Sequence, residues 1–224
     1  MTSTGTRTGT QTAAQPSAGP QPETQAELGR RSRKKSRTRV ELMEAGAQLF
    51  AENGFDETTT TDIAELADVS QRTLFRHFPT KEALLYGDMD ELLLELRDAL
   101  ASRPAGEPVL AALRAAMLSL ADNFERNRAR RLLQGRLAAA YPSVSGYSRA
   151  TVQAAWEREI IASTAQRLGV DPTVDPRPEI IAGATMSAIR IATRQWTASN
   201  GKQDYVLLIV NALAAIGTLS ELEH

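Results

Sequence analysis

The chain has 224 residues, 42% hydrophobic, 24% charged and 5% aromatic, with a formal net charge of −1. That length buries a substantial core in one or two domains, and a composition rich in Ala and Leu but poor in aromatics favours helices over sheet. The absence of cysteine excludes disulfides, thiolate zinc sites and thiol catalysis, and the near-zero charge confines any affinity for a polyanion to a local patch.

Residues 1–29 are rich in Thr, Gly, Gln and Pro and have no apolar stretch, which predicts a disordered arm and no signal peptide. Residues 30–39, RRSRKKSRTR, hold seven basic residues and no acid. Such a run is either a solvated charged segment or an arm that follows a phosphate backbone or enters a minor groove.

From about Ser32 the pattern turns helical. Leu42, Met43, Gly46, Leu49 and Phe50 recur at spacings of three and four, and Asn53-Gly54 closes this first helix. Thr59-x-x-Asp62 caps a second helix, Ser70 caps a third that Pro79 stops, and Thr80 caps a long fourth that runs to about Ser102. Beyond the Pro104–Pro108 break, five more helical stretches cover roughly 107–125, 128–140, 145–168, 177–199 and 203–219. No segment alternates with period two, so the predicted fold class is all-α with about nine helices. The most apolar segment, Tyr205–Gly217, is too short to span a bilayer, which predicts a cytoplasmic protein without a membrane partner. Leu222-Glu223-His224 read as the remnant of an expression tag.

The segment Thr59–Pro79, TTTDIAELADVSQRTLFRHFP, carries function. Two short helices flank a tight turn at Ala67-Asp68-Val69-Ser70; small Ala64 permits close packing, and Val69 and Leu74 fill the space between. This is a helix-turn-helix, which presents its second helix to a major groove. The outer face of that helix, Gln71, Arg72, Thr73, Arg76 and His77, either solvates a surface helix or reads base edges, with Ser70, His77 and Lys81 placed for phosphates.

Residues ~36–86 resemble the DNA-binding domain of the tetracycline-repressor (TetR) family of bacterial regulators. The landmarks are Ala45–Phe50 with Gly54-Phe55, then Thr59-x-x-Asp62-Ile63-Ala64, Val69-Ser70, Thr73-Leu74-Phe75, His77-Phe78 and Lys81-Glu82. The resemblance implies a homodimer on a palindromic double-stranded operator, with Thr60, Ser70, Gln71, Arg72, Thr73, His77 and Lys81 as DNA contacts. The basic run adds Arg33, Lys34, Lys35 and Arg37. Two positions depart from the family pattern. Phe75 stands where Tyr, with its phosphate-touching hydroxyl, is frequent. Asp68 stands where Gly is usual, and Asp tolerates the left-handed region well enough for the turn to survive.

The predicted domains are an arm at 1–29, a basic extension and helix-turn-helix at 30–86, a helical ligand-binding and dimerisation domain at 87–221, and the tag at 222–224. Ala155-Trp156-Glu157, Leu168–Pro172 and Arg190–Trp196 resemble a C-terminal domain of actinobacterial-type members with acyl-CoA-like ligands. The resemblance implies a small-molecule effector, and candidates for lining its cavity are Met117, Leu120, Phe124, Leu137, Trp156, Met186, Ile189 and Trp196. For each of them ordinary core packing is the simpler reading. Arg136, Arg190 or Arg194 would meet a phosphate or carboxylate, or form a surface salt bridge. Ile181, Ala184, Thr185, Ala188, Ile191 and Ala192, with the apolar last helix, offer a dimer surface as a four-helix bundle.

An enzyme is the first rival class. His77 is the only histidine ahead of the tag, no His/Cys cluster can hold a metal, and no Gly-rich phosphate loop follows a strand. No catalytic residues, metal or cofactor are therefore expected. The second rival is a ligand-free helical adaptor or architectural protein, which would bind DNA without sequence preference and with a steep salt dependence.

Overall fold

Short-range capping builds the N-terminal helices of this computed structural model, which describes Met1, Thr2 and residues 25–218. Most of the expected disordered arm and the tag remnant lie outside the described residues. Helix α1 (Gln25–Asn53) starts ahead of the expected position near Ser32, so the end of the expected arm is helical. It stops at Gly54, whose φ of +88° suits glycine. Thr59 starts α2 (Thr60–Leu66) with a reciprocal capping box: its side chain accepts from Asp62 N, and Asp62 Oδ2 accepts from Thr59 N at 3.0 Å. Asp68 takes the left-handed turn position at φ +51°, as its short polar side chain allows. Ser70 caps α3 (Gln71–His77).

Two compact units divide the chain, Met1–Arg37 and Thr38–His224. In the first, Arg33, Lys34, Lys35 and Arg37 are exposed. The remaining structure belongs to the second. Its first core gathers Leu42, Phe50, Phe55, Ile63, Leu74, Phe78 and Leu84, and Leu137 and Val144 from later helices join it. At Gly46 a Cβ would lie 2.2 Å from Leu84 Cδ2, so α1 and the segment that carries Leu84 approach as closely as glycine permits.

The expected long fourth helix is broken. Helices α4 (Lys81–Leu85) and α5 (Met89–Ala101) are separated by a turn at Tyr86–Asp88. Tertiary contacts decide the break. Arg39 Nη2 donates to Gly87 O at 2.7 Å, and a Cβ at Gly87 would meet Met43 Sδ at 2.6 Å and Phe78 Cε1 at 2.7 Å. The next expected helix is likewise divided at Leu120 into α6 (Val109–Ser119) and α7 (Ala121–Arg126). Helix α8 (Arg128–Ala140) follows. The stretch expected at 145–168 comprises α9 (Pro142–Tyr147), a π-helical segment (Ser148–Gln153) and α10 (Ala154–Leu168). Helices α11 (Arg177–Ala198) and α12 (Tyr205–Thr218) complete an architecture without strands among the described residues. No described helix is long and apolar enough to cross a membrane.

The second core, around Leu96, Leu113, Met117, Leu120, Ile160, Ala192 and Leu213, is enclosed by α5, α6, α10, α11 and α12. Within the expected dimer surface, Thr185, Ala188 and Ala192 are buried inside the single chain. Ile191 remains exposed, together with Ile180 on α11 and Leu207 on α12.

Candidate DNA interface and effector cavity

On the helix-turn-helix, Gln71, Arg72, Phe75 and Arg76 are exposed. The Gln71 amide donates to the hydroxyls of Thr60 at 3.0 Å and Thr61 at 3.2 Å, which ties the start of α3 to α2. Ser70 Oγ accepts from Thr73 N at 3.2 Å and lies 3.0 Å from Thr73 Oγ1. Thr60, Ser70, Gln71, Arg72 and Thr73 are thus brought together at one end of α3, where a base edge or phosphate can replace these small local bonds.

His77 and Lys81 are differently placed. His77 is half-buried and borders a pocket of about 210 Å³ with Arg39, Phe78, Gly87 and Trp156. Lys81 turns its ammonium to Phe55 O at 2.7 Å, Thr58 O at 2.9 Å and Asp56 O at 3.4 Å, above the Phe55 ring. Its donors brace the loop after α1 rather than standing ready for phosphate. Arg39, the last residue of the basic run, is also spent internally. It caps Gly87 O, reaches His77 O at 3.5 Å, pairs with Asp90 and lies over Phe78.

A second, larger cavity of about 500 Å³ opens among α5, α8, the π segment, α11 and α12. Of the expected lining residues, Met117, Phe124, Trp156, Met186, Ile189, Arg190 and Trp196 border it. Leu120 and Leu137 lie in the two cores instead, and exposed Arg136 hydrogen-bonds Asn200 outside the cavity. Helical periodicity identified the inward face of α8 but not which core that face enters. The sequence reading missed Tyr86, Met89, Arg131, Gln134, Arg149 and Tyr205, all on the wall. No local signal marks them: Arg131 sits in RARRLLQGR, where three other arginines look the same.

The wall pairs an aromatic body with basic groups. Trp196 stacks on Tyr205 with centroids 4.7 Å apart, and Phe124 meets Tyr205 edge-on at 5.1 Å. Burial pushes the Tyr205 hydroxyl above its ordinary value, and it pairs with Thr193 Oγ1 at 2.7 Å. Arg149, Arg190 and Arg194 are exposed at the rim, and among the described residues no Asp or Glu borders the cavity.

Arg131 lies at depth. Its Nη1 is 2.9 Å from Asp88 Oδ2 and donates to Gln134 Oε1 at 3.1 Å, and its Nη2 approaches Asn123 Oδ1 at 3.5 Å. Burial lowers the Arg131 guanidinium below its usual value, and the Asp88 charge opposes that. Gln134 Nε2 donates to Leu85 O at 2.9 Å and Asp88 Oδ1 at 3.2 Å. The cavity is thereby bonded directly to the end of α4 and to the break that follows it.

Comparison with known proteins agrees with this arrangement. The sequence model of bacterial regulatory proteins of the tetR family matches residues 42–87, and that of the MftR C-terminal domain matches residues 107–219. The transcriptional regulator MftR of Mycobacterium tuberculosis is 30% identical over 164 residues, covering 73% of this chain and 82% of that one. The chain belongs to the TetR family of transcriptional regulators. A further relative, the HTH-type transcriptional regulator TcmR of Streptomyces glaucescens, is 31% identical over 175 residues, covering 75% and 76% of the two chains. Among solved structures, the TetR-family repressor FadR of Thermus thermophilus in complex with lauroyl-CoA superposes with a TM-score of 0.52 at 25% identity, covering 79% of this chain and 91% of that one. As a TetR-family regulator, the chain uses its helix-turn-helix for DNA binding.

Proposed function

We propose that the protein is a homodimeric repressor that binds a palindromic operator and leaves it when an apolar-bodied anion, of which an acyl-CoA is one form, fills the 500 Å³ cavity. The observation that carries this reading is the cavity's make-up: an aromatic interior beneath three rim arginines, with no acid on the wall among the described residues. Such a site attracts a phosphate or carboxylate at the mouth while an apolar tail is buried. The lauroyl-CoA held by the Thermus FadR supports that ligand class.

On the DNA side, Arg72 reads a base edge and Thr60, Ser70, Gln71 and Thr73 position the helix, with His77 and the exposed Arg33, Lys34, Lys35 and Arg37 as backbone contacts. Lys81 acts through the loop it braces. Dimerisation through α11 and α12 covers Ile180, Ile191 and Leu207, whose exposure on a lone protomer calls for burial. Occupancy reaches the DNA-binding helices through Arg131, Asp88 and Gln134, which grip the end of α4. The broken α4–α5 segment is therefore a joint.

Selection of genomic fragments by the purified protein tests the regulator reading. Enrichment of a palindrome, lost in Arg72→Ala, is expected. Binding governed by salt alone, without enrichment, would instead establish a general architectural protein.

A further inference from the structure

The wall of the large cavity carries buried polar groups that no protein atom satisfies, and its nitrogens among them are all donors. Arg131 Nε, Trp156 Nε1 and Trp196 Nε1 lack an acceptor, although their side chains are only 6%, 6% and 2% exposed. Buried N–H groups nearly always find a partner, and one left without is costly. These are both tryptophans of the chain and the one buried arginine of the wall. The Thr197 hydroxyl on the same wall also lacks a partner, while other nearby acceptors are engaged. Gln134 Oε1 takes Arg131 Nη1, the Thr193 and Tyr205 hydroxyls bond each other, and no carboxylate of the described residues borders the cavity.

The charge state narrows what an occupant can bring. Asp88 stands 2.9 Å from Arg131 and neutralises it, so a second carboxylate driven to this depth would leave a net negative charge in a buried site. An uncharged oxygen adds no such charge and accepts from the guanidinium. Solvent does not reach the three N–H groups. Met89, whose Sδ lies 3.8 Å from Arg131 Nη1, is the flexible side chain beside that guanidinium.

Resting on the effector reading above, we propose that the effector is oxygenated in its buried body: it carries an uncharged acceptor of the carbonyl class that bonds Arg131, with the two indole N–H groups as further donors. Arg131 is then the residue that distinguishes such a molecule from a plain hydrocarbon chain. Because Arg131 also holds Asp88 at the α4–α5 joint, the same oxygen competes for a bond on which the DNA-binding helices rest.

Calorimetric titration of the full chain with three probes of equal length tests this: dodecanoate, 11-oxododecanoate and dodecanedioate. The keto acid is expected to bind on the order of tenfold tighter than dodecanoate, as a charge-assisted hydrogen bond to a buried donor supplies. Dodecanedioate is expected to gain nothing. Arg131→Met removes the keto acid's advantage, and Trp196→Phe reduces it. Should Arg131→Met not fold, the wild-type comparison and Trp196→Phe decide. Equal affinity for dodecanoate and the keto acid overturns the proposal and leaves the effector reading standing, as does tightest binding of dodecanedioate. Binding of none of the three overturns the effector reading and the proposal with it.

Discussion

Asp62 shows how much one side chain settles at the start of α2. Its carboxyl is held below the ordinary carboxylate value by hydrogen bonds from Thr59, the side-chain one foremost and the backbone one next. A carboxylate with a depressed folded pKa stabilises the fold above its unfolded pKa, and that contribution is lost as pH falls through the folded value. Thermal melts between neutral pH and pH ~2 are therefore expected to lose stability most in the acid limb below the ordinary Asp value. Thr59→Ala, which deletes the cap, should cost about 1 kcal/mol at neutral pH and flatten that limb. An unchanged acid limb in Thr59→Ala would show that the box contributes nothing. Ser70 and Thr80 act by the same local rule, each accepting from a backbone N–H three residues on.

At the scale of elements, the α4–α5 joint depends on Arg39. Its guanidinium joins Gly87 O to the end of the recognition helix at His77 O. Arg39→Met keeps much of the side-chain stem over Phe78 but removes these bonds. Operator affinity in a gel-shift titration is expected to fall about tenfold or more, while the melting temperature drops by only a few degrees. Equal affinity would mean that the joint does not set the position of α3. The caps around this region were readable in the sequence because each rests on residues three apart. The break at Gly87 was not, because Arg39, Met43 and Phe78 impose it from distant positions. The π segment was hidden for a related reason: its composition, SRATVQ, is compatible with an ordinary helix. Leu137 and Leu120 were recognised as buried-type residues, yet which core receives them is a property of packing that periodicity does not carry.

For the whole molecule, composition and period established the all-α class, and the helix-turn-helix landmarks pointed to the family. Net charge said little about DNA binding, since the acids of α1 and α2 offset a basic run whose last member, Arg39, is turned inward. The proposed dimer is the next level. Ile191→Asp with Leu207→Asp places charge on the apolar faces of α11 and α12 while leaving the buried Thr185, Ala188 and Ala192 untouched. Sedimentation is expected to show a folded monomer with weak operator affinity, because one recognition helix cannot engage two half-sites. A double variant that remains dimeric would place the interface elsewhere.

The turn at Tyr86–Asp88 also exposes the protein to proteases in a way that reports its state. Tyr86 is buried, and the segment after it is held by Arg39 at Gly87 O and by Gln134 at Asp88. Local opening of such a segment requires less free energy than global unfolding. Chymotrypsin should therefore clip the chain after Tyr86 faster when the joint is loosened than when operator DNA holds it shut. The digestion rate would read out, in the intact regulator, how often it lets go.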